Sequence, residues 1–100
     1  MRIDKIKSYL GFSIRSGKVI FGSDKLFESS KKPRIVIICS TQNDKVTNKV
    51  IRFCEEYDVK YYKLQNLVLG ELIGRDNCKV IGVLDKSLSK AIIEELQMEM

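Results

Sequence analysis

Histidine is absent from the chain, and that gap removes more chemistry than any other feature. Without an imidazole, neither a Ser-His-Asp nor a Cys-His arrangement can be assembled. No Gly-x-Ser-x-Gly elbow is present. Cysteine is sparse: Cys39, Cys54 and Cys78 are widely spaced and form no Cys-x-x-Cys pair. They read as reduced thiols, buried or half-buried, and no metal or cofactor is expected. The longest apolar run, Ile35 to Cys39, is far below the roughly 20 residues of a membrane span. Charges at Arg2, Asp4, Lys5 and Lys7 leave no apolar signal core in the first residues. A cytoplasmic protein without membrane contact is expected. One proline, six glycines and no internal repeat exclude a low-complexity segment.

What is there suits a single domain over residues 1–100, with one modest core, 44% hydrophobic and 31% charged. The net charge of +5 is unevenly spread: residues 1–52 carry 12 Lys/Arg against 4 Asp/Glu, and residues 53–100 carry 6 against 9. A basic face built mainly by the first half suits a polyanion-binding domain; a lysine-rich solvated surface would give the same count. The paired carboxylates Glu55-Glu56 and Glu94-Glu95 fall on helices, where neighbours point about 100° apart and do not converge on a substrate.

Apolar spacing sets the organisation. Residues 4–16 form an amphipathic helix with Ile6, Tyr9, Leu10, Ser13 and Ile14 on one face. Val19–Phe21 is a short strand. Ser23 is placed to cap a helix through about Lys31, which Pro33 stops. Residues 34–39 form a fully buried strand, being continuous, β-branched and without alternation. Asn43 or Asp44 caps a helix with the stripe Val46, Val50, Phe53, Cys54 and Tyr57. Val59–Leu64 is a third core strand, Leu67–Ile73 a short helix closed by Gly74, and Lys79–Leu84 another strand. Leu88, Ala91, Ile92 and Leu96 line a last helix. The order αβαβαβαβα with short connections predicts an α/β fold: a three-layer α/β/α sandwich whose mixed or mostly parallel sheet has about four strands and five helices.

The stretch "FGSDKLF" places a glycine-led polar turn where a strand hands over to a helix. It fits neither the Walker nor the Rossmann glycine pattern. Helix-terminal amides still favour anionic or polar groups, and Ser23, Asp24 and Lys25 add side-chain donors and acceptors. The turn is suited to RNA backbone and base edges; Ser23 acting only as a cap is the plainer alternative.

Over nearly the whole chain, "RSGKVIFGSDKL", "IRFCEEYDVKYYKL" and "LGELIG" resemble the kink-turn-binding ribosomal protein family called L-seven-Ae/L-thirty-e, and most closely its small bacterial, ribosome-associated members. The resemblance implies the same α/β/α fold and a strand-to-helix turn that reads sheared G·A pairs. The family's turn runs approximately Gly-x-Asn-Glu-x-x-Lys. Here Gly22 and Ser23 match, and Lys18 matches the basic residue before the strand. Asp24 stands at the asparagine, Lys25 at the glutamate and Glu28 at the lysine. Lys25 can only donate where the family's glutamate accepts. The polar stretch Arg75–Lys79 replaces an apolar loop that packs on a flipped base, and Arg75 is suited to stack on a base or pair a phosphate.

The resemblance implies a non-enzymatic, RNA-binding ribosomal or ribosome-associated protein. Its partner is a structured RNA, ribosomal or small non-coding. Gly22, Ser23, Asp24, Lys25 and Arg75 are the expected contacts, with Glu28 beside them; Lys18, Lys31 and Lys32 are expected to neutralise phosphates. The rival is a protein-interaction module on the same fold, its RNA readout lost, for which Glu28 speaks.

Overall fold

A computed structural model describes residues 2–97. Nine elements alternate: α1 (Ile3–Arg15), β1 (Val19–Phe21), α2 (Ser23–Glu28), β2 (Ile35–Ile38), α3 (Asp44–Glu56), β3 (Lys60–Lys63), α4 (Leu69–Ile73), β4 (Val80–Val83) and α5 (Lys86–Gln97). The strands form one mixed sheet in the order β1-β4-β2-β3. β4 runs antiparallel to both β1 and β2, and β2 pairs with β3 in parallel. The expected α/β/α sandwich with four strands and five helices is what the chain forms.

Two cores lie on the two faces of the sheet. Ile35, Ile37 and Cys39 pack with Ile81 and Val83 against α1, α4 and α5 through Ile6, Leu10, Leu69, Leu72, Ile92 and Leu96. Val36 and Ile38 point the other way, to Leu26 of α2 and to Val50 and Cys54 of α3. Alternate residues of β2 therefore serve opposite cores, which is why that segment is apolar without alternation. The central strands β2 and β4 are buried at every position.

β3 departs from the expected core strand. It lies at a sheet edge, with Lys60 and Tyr61 exposed; only the flanking Val59 and Leu64 are buried. Its place at the end of the strand order gives it a single neighbour, so an edge rich in lysine and tyrosine costs little and blunts strand addition. The expected stripe of α3 is also shortened, because Tyr57 is the helix's C-cap and stays 47% exposed.

Capping follows the side chains in two helices. Asn43 Oδ1 accepts from the Val46 amide at 2.8 Å and starts α3, and Asp85 Oδ1 accepts from the Leu88 amide at 2.8 Å to start α5. α2 differs from expectation at both ends. Its N-cap is Gly22, with no side-chain cap bond, and Ser23 is the first helical residue. It ends at Glu28 because the Ser29 hydroxyl accepts from the Lys31 amide at 3.1 Å and donates to the Lys31 carbonyl at 2.8 Å. That local loop competes with the next helical turn before Pro33 is reached.

Gly70 of α4 explains the position of the following loop. A Cβ there would lie 2.5 Å from the Arg75 carbonyl oxygen and 3.1 Å from the Asp76 Cα. The backbone after Gly74 thus folds directly over the helix, held by Arg75 N donating to Gly70 O at 3.0 Å. Gly70→Ala is expected to destabilise the protein by about 1–3 kcal/mol, the range for forced backbone shifts. Urea unfolding checks this, and an unchanged midpoint would contradict the close approach.

Candidate nucleic-acid interface

β1 ends at Phe21, and the next amide, Gly22 N, donates to Val80 O at 2.8 Å. The strand is thereby stitched to the start of β4 up to the residue where the chain turns. Gly22 has φ 86° and ψ 155°, a region open essentially to glycine alone. Ser23 is half-buried, while Asp24 and Lys25 are exposed. At six residues, α2 contributes only a short dipole. Binding at this turn therefore rests on its exposed side chains and open backbone.

Antiparallel pairing of β4 with β1 and β2 brings three connections to this end of the sheet. Gly22, Ser23, Asp24 and Lys25 line a groove of about 360 Å³ together with Gln42 of the β2–α3 loop and Asn77 and Lys79 before β4. Arg75 stands beside it: its guanidinium carbon lies 3.9 Å from the centre of the ring of Phe21, which lines the groove, an exposed cation held over an aromatic face. The groove has one acidic side chain, Asp24, against Lys25 and Lys79. It offers amide, hydroxyl and ammonium donors with a single carboxylate acceptor, suited to phosphate oxygens and base edges.

The nine residues expected at an RNA site do not converge. Gly22, Ser23, Asp24 and Lys25 share the groove, with Arg75 beside it. Glu28 is exposed at the far end of α2. Lys18, Lys31 and Lys32 lie at the other end of the sheet, where Lys18 pairs with Asp85 at 3.8 Å. Lys32 Nζ sits 4.4 Å from the centre of the Tyr57 ring and 5.1 Å from that of Phe53. Lys18 and Gly22 bracket β1, so at about 3.3 Å per residue they stand roughly 13 Å apart along the strand. Gln42, Asn77 and Lys79 were not among the nine. Asn77 and Lys79 fall in the polar stretch before β4, but nothing local marks Gln42, which reaches the groove only through the pairing of β2 with β4.

Cys39 and Cys54 are buried and Cys78 is half-buried, all as free thiols. Burial pushes Cys54 up to about 11, with the neighbouring Glu55 charge adding to it. Burial also raises Cys78, against hydrogen bonds with the Val80 and Gly22 backbone and the Arg75 charge. At Cys39 burial is outweighed by hydrogen bonds, those from Thr41 foremost, and its pKa is lowered. Yet Cys39 has no exposed surface, so the lowered thiol meets no substrate. Among the described residues, no group of three or more His, Cys, Asp or Glu could hold a metal ion, and no helix is long and apolar enough to cross a membrane.

Comparison with known proteins bears on family and fold. The model of the family described as "Ribosomal protein L7Ae/L30e/S12e/Gadd45 family" matches residues 4–93. The large ribosomal subunit protein eL30 of Sulfurisphaera tokodaii is 30% identical over 96 residues, 91% of this chain and 90% of its own. A solved structure of a protein of unknown function from Bacillus halodurans superposes with a TM-score of 0.83 at 23% identity, covering 92% of this chain and 96% of that one. That last likeness is one of fold.

A methyl group at Gly22 would meet no atom within 4 Å, so substitution there tests backbone strain alone. Gly22→Ala is expected to cost about 1–3 kcal/mol. Chemical denaturation checks it; a cost near zero would mean that the turn relaxes freely.

Proposed function

The chain belongs to the ribosomal protein L7Ae/L30e/S12e/Gadd45 family, and from that premise we propose that it is a non-enzymatic, cytoplasmic, ribosome-associated protein that binds structured RNA through the Gly22–Lys25 turn. Members of this family typically bind RNA and are generally not enzymes. The observation that carries the reading is the groove itself: a glycine-only backbone turn, open to solvent, faced by Gln42, Asn77 and Lys79 and flanked by the Arg75 guanidinium.

The side chains set which RNA groups the turn addresses. Ser23 donates or accepts, Asp24 only accepts, and Lys25 and Lys79 only donate. Arg75 over Phe21 offers a flat cation to a base or a phosphate. Asp24, Lys25 and Glu28 exchange the residue types that the family pattern carries at those places. Readout of the G·A pairs is therefore the property to test first.

The test is a titration against a kink-turn duplex and against the same duplex with its G·A pairs made Watson–Crick, each at two salt concentrations. Tighter binding of the kinked duplex is expected, falling steeply with salt. Lys25→Ala and Lys79→Ala are each expected to weaken it and to lower the salt slope by about one. Binding of neither duplex, or titrations indifferent to both substitutions, would overturn the assignment and favour the protein-interaction module for which the anionic Glu28 speaks.

A further inference from the structure

More positive charge gathers at the far end of the sheet than at the turn. A broad basin of about 980 Å³ occupies the opposite end of the sheet, where β2 and β3 begin and β4 ends. Lys31, Lys32 and Arg34 flank Pro33, Lys60 opens β3, and Lys86 and Lys90 stand one turn apart on α5; all six are exposed. With Lys18 the lining has seven Lys/Arg, against Asp58, Asp85 and Glu94. That surplus of four compares with a net charge of +5 for the whole chain. Among the described residues only Lys5 and Lys18 form ion pairs, so the six cations of the basin are left without carboxylate partners within 4.0 Å.

We propose that this basin is a second RNA site, which binds a single strand by its phosphates while the turn at the other end of the sheet holds a structured element. Unpaired cations around one concavity repel each other, and a polyanion along the basin removes that repulsion. Tyr57 gives the site its preference for a single strand. Its ring is 47% exposed at the end of α3 and stands within the basin among the cations, packed on Phe53 at 4.8 Å between centroids. An anchored, exposed aromatic in a basic channel is the arrangement on which unpaired bases stack. Lys32 lies over that ring and donates to the Ser29 carbonyl at 2.9 Å; a stacked base takes its place over the ring and leaves the ammonium's other protons to a phosphate. A short element seated on the Gly22 turn does not reach these residues, so the two sites bind independently and the protein joins two RNA segments. The choice of RNA as partner rests on the family reading above. The location of the site does not.

The experiment is anisotropy titration of a short fluorescent oligouridylate against the full chain and three variants, with circular dichroism to confirm folding. The triple charge reversal Arg34→Glu, Lys60→Glu, Lys90→Glu is expected to lose at least about tenfold in affinity. Tyr57→Leu, which keeps apolar packing on Phe53, is expected to lose several-fold, and Lys49→Glu, exposed on α3 and away from both the basin and the turn, to bind as the parent does. Unchanged binding by the triple variant overturns the site. Equal binding of polyglutamate, or a neutral Tyr57→Leu, overturns single-stranded RNA as its occupant. If the kink-turn duplex fails to bind while the oligouridylate still requires the basin, the turn assignment falls and this one stands.

Discussion

The hydrogen bonds that border β4 set the two candidate regions at opposite ends of the sheet. At one end of this central strand Gly22 N donates to Val80 O and Cys39 N to Lys79 O, both at 2.8 Å. At the other, Arg34 N donates to Val83 O and Leu84 N to Lys18 O, both at 2.9 Å. These four bonds fix the polar turn and the β2–α3 loop at one end of the sheet, and the cationic starts of β1 and β2 at the other. A one-residue slip of β4 would also turn Ile81 and Val83 out of their core. Register and charge placement are therefore one constraint.

The same strand shows how close packing limits the sequence. Gly82, in the middle of β4, leaves room for the Pro33 ring, whose carbons would lie 3.0 Å from an added Cβ. Pro33 is buried at the centre of a cationic segment. It holds Lys31, Lys32 and Arg34 against the end of the sheet, where the apolar contact offsets part of the cost of crowding like charges. The two glycines of the turn end act differently. Gly22 permits a backbone angle, and Gly70 permits a close approach that carries Arg75 to Phe21.

Much of this was legible in the sequence, because periodicity reports burial. The unalternating run of β2 foretold a strand covered on both faces, and the spacing of Ile6, Leu10 and Ser13 foretold the buried face of α1. What was not legible depends on strand order. β3 reads as a core strand because Val59 and Leu64 are buried, but the residues between them lie on an edge. Ser23 reads as a cap because serine commonly is one, yet the preceding glycine takes the position. The candidate site divided for the same reason. Lys18 and Gly22 are four residues apart in sequence, and a strand between them sends them to opposite ends of the sheet. Gln42 joined the groove through a pairing that no local signal announces.

The measurement that bears most directly on the central claim is an amide chemical-shift map of the isotope-labelled protein during titration with a structured RNA. Shifts concentrated at Gly22–Lys25, Gln42 and residues 75–79, where three connections meet at one end of the sheet, are the expected result. Shifts confined to the exposed edge of β3 or to the outer face of α3, with the turn silent, would contradict it.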